Sequence, residues 1–495
     1  MKPCFVLALD MGTSSTRSAI YDAKGRRLLK TTAQVEYSLV TGQDGRAELR
    51  PADLERAVMQ AFTKTLAAWG KRKPVAAIGV SCFWHSLLGL DANGCAITPV
   101  YTWADSRCRH EAHHLRAHGS ERAIHARTGC MARTSFWPAK LLWLRKTDPR
   151  LFRRVVRWVS PAEWIQQIFC DRANVSLSMA SGTGLLNGKT HRWDESLLWR
   201  CGLNATRFNP ISDVPVPVSS AMKRKFPALA GVPWYPAIGD GAAGNLGSGA
   251  TRPGLAAINV GTSAALRVVV AKKSPAPVGL FSYRIDARRT LLGGAVSNAG
   301  NLRAWAQREL KLPDDAAIER ELRKRTRPIE KLTLLPFLIA ERAPTWPEEL
   351  PSTIIGVTQA TSALDLLQAL QEATYHRLAQ IAEEIEKAVR RRLAFIVSGG
   401  IRHSANSLQR LADVLGRPVY ASSEPEASLR GAACFALGRI GIHPPPPKRG
   451  TAIRPRSASA RAYAQARRAQ MWLEKLLRDS DIVAIEQPAT SIRTR

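Results

Sequence analysis

Asp10 opens a run, Asp10-x-Gly12-Thr13-Ser14-Ser15-Thr16, set between the apolar stretches 4–9 and 18–21. Strand, Gly/Thr/Ser turn and strand make a tight hairpin. Its backbone N–H groups and hydroxyls can hold an anion with a carboxylate beside them, and phosphate with a hydrated Mg²⁺ suits that set. An ordinary polar hairpin turn has the same composition. The run has an echo, because ALDMGTSSTRSAI from Ala8 overlays AINVGTSAALRVV from Ala257, placing Gly261 and Thr262 249 residues after Gly12 and Thr13. This repeat points to two related domains whose loops would grip a triphosphate from both sides, although any apolar strand followed by Gly-Thr-Ser gives the same overlay.

Asp240 lies in GDGAAGNLGSG, residues 239–249. A carboxylate among glycines meets little side-chain screening and can approach a substrate hydroxyl as a general base; a helix N-cap is the other reading. Gly239-x-Gly241-x-x-Gly244 is also a literal dinucleotide fingerprint, but no Asp or Glu stands about 20 residues later to hold a ribose. Thr183-x-x-x-x-Gly188-Lys189-Thr190 nearly spells a phosphate loop, yet its first glycine is a threonine and no clear strand precedes it. His110, His114 and His118 fall at i, i+4 and i+8, a spacing that suits metal ligands or, more simply, a solvated helix face. Trp137, Trp143, Trp158 and Trp164 stand among arginines in apolar, helix-like surroundings, which favours core packing over a base-stacking platform.

The elements that must position these residues alternate. Residues 4–9, 18–21 and 26–37 read as a β-meander, 51–69 as a helix, 75–81 as a strand and 106–118 as a helix, the pattern of an α/β protein. The glycine-rich segment 239–249 reads as a boundary, where backbones approach closely or a hinge bends. Beyond the echo come a long helix over 364–390, a strand at 394–397 running into Ser398-Gly399-Gly400, helices at 406–415 and 428–437, a proline run at 444–447, and a basic amphipathic helix at 460–477 that its Trp and Leu residues should dock.

Length and composition bound the class. At 495 residues, 45% apolar and 23% charged, the chain is globular and long enough for several domains. Its net charge of +32 first suggests a nucleic-acid binder. Residues 448–495 hold only 11 basic and 4 acidic residues, net +7, so +25 is spread elsewhere and no detachable basic tail accounts for the total. Eight cysteines form no C-x-x-C pair or cluster, which fits a reducing cytoplasm. No stretch approaches the ~18 uncharged apolar residues of a spanning helix, so secretion and a membrane partner are disfavoured.

With these residues in view, the chain resembles the FGGY carbohydrate kinases over nearly its whole length. The segments that carry the likeness are ALDMGTSSTRSAIYD, TWADSR, TGCMARTSFWPAKLLWL, SMASGTGLLN, IGDGAAGNLGSGA, NVGTSAALR, SNAGNLRAW, ERAPTW, VSGGIRHSANSLQRLADVLGRPV and EASLRGAA, in family order. It departs at Trp137, where the first signature expects a small residue or proline, and the second signature, 355–372, is partly met. The resemblance implies an α/β, actin-like (ribonuclease H-like) fold. Its N-terminal domain would span 1–243 and its C-terminal domain 244–445, followed by a basic extension over 446–495, with ATP and sugar in the cleft between domains.

Carried over position by position, the resemblance makes Asp240 the catalytic base and Asp10 the carboxylate that reaches Mg²⁺ through water. Gly12, Thr13, Ser14 and Ser15 match the loop near the transferred phosphate, and Gly261 and Thr262 the second phosphate loop. Gly300, Gly399, Gly400 and Ser404 fall in the nucleotide pocket, and His85, Trp103 and Asp105 in the sugar site. Phe83-Trp84-His85-Ser86 looks more like gluconokinases than xylulokinases, and Arg133, where many gluconokinases carry His, has the fork for a sugar-acid carboxylate. The expected reaction is therefore ATP-dependent phosphorylation of a sugar or sugar acid, D-gluconate to 6-phosphogluconate first, with xylulose or another pentulose or polyol as the alternative. A non-catalytic nucleic-acid binder and a dinucleotide-dependent oxidoreductase are the competing classes. The expected partners are small molecules, with no specific nucleic acid, and a homodimer is left open.

Overall fold

The computed structural model describes residues 4–70, 73–118, 121–271 and 276–480. Packing divides the chain into two units: one takes in the chain up to Pro253, Arg267–Leu292 and Ser423–Lys448, the other Gly254–Leu266, Gly293–Ser422 and the chain from Arg449.

The first unit is built on strand Phe5–Met11, buried along almost its whole length, as a strand covered on both faces must be. It pairs antiparallel with Ser15–Asp22 and parallel with Ala77–Cys82. Ile238–Gly239 joins the far end of Ala77–Cys82, Ile238 opposite Ser81, which itself lies opposite Asp10. Parallel strands therefore bring residue 10 and the start of the Asp240 helix to the same carboxyl edge, where α/β sheets characteristically hold ligands.

Alternation sorts the sheet's two faces. Val6, Ala8, Ala19 and Tyr21 face helix Ala427–Arg439, packing on Leu429, Ala432, Ala433 and Ala436. On the other face the Ser18 hydroxyl meets Thr65 Oγ1 of helix Pro51–Trp69 at 2.6 Å. The stretch 26–37, expected as one strand, is a 3₁₀ turn at Leu29–Thr31 followed by strand Ala33–Glu36. Thr31 Oγ1 causes the break, since it accepts from the Ile20 amide and donates to the Leu28 carbonyl. Trp137 and Trp158 are fully buried and Trp164 nearly so, as core packing requires, whereas Trp143 is half-buried.

The glycine-rich stretch 239–249 is not a hinge loop but helix Asp240–Ser248, closed by Gly249 in the left-handed region. Its glycines serve close approach. A Cβ on Gly247 would lie 1.8 Å from the Ala427 carbonyl oxygen, and one on Gly431 would lie 1.8 Å from that of Ala243. The helices Asp240–Ser248 and Ala427–Arg439 thus pack backbone on backbone.

In the second unit Leu255–Val260 runs parallel to Ala394–Gly399, which runs parallel to Val419–Ala421. The long helix Ala363–Val389 starts at a capping box made by Ser362 and Asp365, the reciprocal satisfaction of two otherwise unpaired amides. Against it lies helix Ser457–Asp479, joined by buried charge: Arg377 pairs with Glu474 at 2.7 Å, while Glu372 accepts from Arg410 at 2.6 Å and from the Tyr463 hydroxyl at 2.8 Å. All eight cysteines are unpaired, and no helix among the described residues is long and apolar enough to cross a membrane.

Candidate active site

Asp10 and Asp240 are the chemical centre of the first unit. Asp10 is 7% exposed, and burial pushes its carboxyl up to about 6; the Ser81 hydroxyl and the Arg17 guanidinium, 3.9 Å away, pull it down, and the negative charges of Asp240 and Glu426 add to the rise. Asp240 is also raised, first by burial, while Arg267 and the amides of Gly241 and Trp84 favour its charged form. Its Oδ1 accepts the Gly241 amide at 2.8 Å, at the positive end of its own helix. Its place is the first helical residue, the cap being Gly239, so the carboxylate does not cap from outside.

The hairpin loop after Asp10 is pinned from beneath. Gly12 N–H donates to the Ser15 carbonyl at 2.9 Å, and the Tyr37 hydroxyl donates to the Gly12 carbonyl at 2.6 Å. Ser15 is buried, whereas Thr13 is half-buried and Ser14 exposed.

His85 adopts a left-handed backbone, φ 67°, uncommon for a residue other than glycine. Its Nδ1 lies 2.5 Å from the Gly182 carbonyl, and its ring packs edge-on against Phe136 and Tyr283. Trp84, beside it, fills the space over Gly239 and Gly241, where a Cβ would fall 1.8 Å and 2.8 Å from the indole. Trp103 is held through its amide, which donates to Ser86 Oγ at 3.1 Å. Asp105 is buried, accepts from Arg107 at 2.6 Å and from the Ala47 amide, and so has its charge met by the chain. Arg133 Nη2 lies 3.3 Å from Glu121, beside a small apolar cavity lined by Leu115, Ile124, Met131 and Phe136.

In the second unit the Gly261-Thr262-Ser263 loop follows Leu255–Val260, as the first loop follows Phe5–Met11, and both are three residues long. Gly261 and Thr262 are exposed, and their carbonyls accept the amides of Gly300 and Asn301 at 2.9 and 3.2 Å. A Cβ on Gly300 would stand 2.5 Å from the Gly261 carbonyl oxygen; Gly399, at φ 88°, crosses Val260 as closely, and Gly400 opens onto free space. Gly261, Thr262, Gly300 and Gly399 are thus brought together. Ser404 is engaged otherwise, as the cap of helix Ala405–Leu415 and a donor to Glu319 at 2.7 Å.

Each loop, within its own unit, fits nucleotide phosphate, and Asp10 fits the Mg²⁺ that accompanies it. The loops are open, and the hydroxyls of Thr13, Ser14 and Thr262 are not taken up by the chain among the described residues. No group of three or more His, Cys, Asp or Glu able to hold a metal occurs among the described residues, and the His118 side chain, the third of the i, i+4, i+8 spacing, lies outside them. The single carboxylate of Asp10 beside the hairpin loop suits Mg²⁺, which keeps waters and takes phosphate oxygens rather than a protein cage. Two neighbours of Asp240, Trp84 and Arg267, reach it only through the fold, although Arg267 sits four residues beyond the Gly261-Thr262-Ser263 loop.

Residues 5–247 match the model of the FGGY family of carbohydrate kinases, N-terminal domain, and residues 256–438 that of the C-terminal domain. The chain is 26% identical to a gluconokinase of Bacillus licheniformis over 88% of each chain. Among solved structures it resembles a gluconate kinase from Lactobacillus acidophilus, TM-score 0.89 at 24% identity over 97% of this chain and 99% of that one. A xylulose kinase from the same organism gives TM-score 0.88 at 24% identity over 96% and 99%.

Proposed function

The chain belongs to the FGGY family of carbohydrate kinases and is a phosphotransferase, and from that premise we propose that it transfers the terminal phosphoryl group of ATP to a hydroxyl of D-gluconate, forming 6-phosphogluconate. The observation that supports phosphoryl transfer to a hydroxyl is the Asp240 carboxylate, raised by burial and set at a helix N-terminus on the same strand edge as Asp10. A base whose affinity for protons has been lifted is better matched to an alcohol than an ordinary carboxylate.

Asp240 takes the hydroxyl proton as the sugar oxygen bonds to the γ-phosphorus. The bond from that phosphorus to its bridging oxygen breaks with its electron pair left on ADP, and the proton passes from Asp240 to solvent. Gly12, Thr13, Ser14 and Ser15 would hold the transferred phosphate, and Gly261, Thr262, Gly300, Gly399 and Gly400 the rest of the nucleotide. Ser404, through its cap, would fix the turn after Gly400. Mg²⁺ would supply charge neutralisation on the phosphates, and Asp10 would orient one of its waters. His85, Trp103 and Asp105 shape the sugar side, the last by holding Arg107 over the Trp143 ring at 4.5 Å.

A neutral pentulose or polyol is the second reading, and one contact favours it: Glu121 already pairs with the Arg133 cation intended for a carboxylate. An ATP-consumption screen over gluconate, xylulose, ribulose and glycerol separates the two. Gluconate should give the highest kcat/KM; a preference for xylulose would replace the first reading with the second. Asp240→Asn should lower kcat about 10²–10⁴-fold, the usual cost of losing a general base, while ATP still binds by calorimetry. Near-normal turnover in the folded variant would remove Asp240 from the mechanism.

A further inference from the structure

We propose that Arg267 is a positioning residue for phosphoryl transfer, the buried cation packed against the start of the Asp240 helix that favours the working form of its base; this rests on Asp240 being the base. Two contacts tie Arg267 to the first turns of the Asp240 helix. Its carbonyl accepts from Asn245 Nδ2 at 3.2 Å, and its guanidinium packs so closely on the helix start that a Cβ on Gly241 would lie 2.6 Å from Nε and 3.0 Å from Cζ. Gly241 is therefore the residue that lets this cation approach, one position beyond the candidate base.

The guanidinium is not placed there for ordinary reasons. Arg267 Nε is sealed from solvent and has no hydrogen-bond partner, a costly state for a polar group, and no salt bridge of Arg267 occurs among the described residues. What it faces is electrostatic. Burial lowers its proton affinity, and the charges of Asp240 and Tyr283 raise it; the charge of Asp240 is also felt by Asp10 and Cys82. Among these described groups Arg267 is the cation. Burial and a second carboxylate nearby both favour the protonated form, which cannot act as a base, and an opposite charge works against them.

Arg267→Met keeps the packed stem and removes the charge. An opposite charge close to a carboxylate is worth about 1–3 pH units of its titration, so the acid limb of the kcat/KM profile should move up by about one unit or more. At pH 7 kcat should then fall roughly tenfold or more, with KM for ATP and sugar within about twofold, and activity should return as the pH is raised towards 9. Arg267→Lys should restore the original limb. If Arg267→Met folds and keeps the wild-type profile, or loses activity equally at every pH, the positioning role is wrong. Should Arg267→Met fail to fold, Arg267→Gln against Arg267→Lys decides the matter, since only the neutral variant may shift the limb. Asp240→Asn is measured beside them: an active Asp240→Asn overturns the general-base reading, whereas an inactive one with an unshifted Arg267→Met overturns this inference alone.

Discussion

Asp10 carries a charge whose timing with pH can be read out. Its carboxyl ordinarily titrates near 3.8 and here is pushed up to about 6, chiefly by burial. Above that value it is ionised and can order a water of hydrated Mg²⁺; below it the proton removes that charge. The Mg²⁺ concentration for half-maximal activity should therefore rise in the wild type as the pH falls through about 6. In Asp10→Ala it should be high at pH 7.5 already, so the gap between the two proteins closes towards pH 5; a gap that stays constant would deny Asp10 this role. Arg133 offers a second residue-scale outcome. If its fork meets a sugar-acid carboxylate as well as Glu121, Arg133→Met should weaken gluconate by about 2–5 kcal/mol, the range for truncating one member of a buried charge pair, and leave xylulose and ATP nearly unchanged. Equal loss of both sugars would make the Glu121 pair purely structural. Asp10, Asp240 and the two Gly-Thr-Ser loops could be singled out in the sequence because each sits in a local run of glycines and hydroxyls between apolar strands. Arg267 and Trp84 could not, because nothing near them in the chain marks their approach to Asp240.

The paired helices Asp240–Ser248 and Ala427–Arg439 have no side chains to spare at their contact. Gly431→Val would drive a Cβ to within 1.8 Å of the Ala243 carbonyl, and neither backbone can yield as a flexible side chain would. Overpacking of this sort costs typically ~1–3 kcal/mol, so thermal denaturation should show a lower midpoint. Because the shifted helix carries Asp240, kcat should fall by more than the unfolded fraction explains; an unchanged kcat would mean that the pair tolerates separation. Elements with a clear 3.6-residue period were legible closely: 51–69 is Pro51–Trp69, and 364–390 is Ala363–Val389. The 239–249 segment was not. Glycine is a poor helix former in isolation, and what makes a helix there is the partner backbone, which no local pattern reveals.

At the scale of the whole molecule, a net charge of +32 should draw anionic substrates from a distance. Such steering is screened within about 8 Å at physiological salt. Raising KCl should accordingly lower kcat/KM for ATP several-fold while kcat stays level, and a flat salt response would leave the charge without a part in catalysis. The internal repeat was legible, since two apolar strands around Gly-Thr-Ser recur; the interleaving of the two units was not, because periodicity says nothing about which distant segments meet. That interleaving also sets a schedule for synthesis. The sheet face made by Val6, Ala8, Ala19 and Tyr21 is covered by helix Ala427–Arg439. At about 5–20 residues per second on the ribosome, that helix follows the first hairpin by roughly 20–80 s. Throughout that interval the nascent chain carries a bare apolar sheet awaiting its lid, so yield in the cell should depend more on chaperone supply and translation speed than on the finished protein's stability.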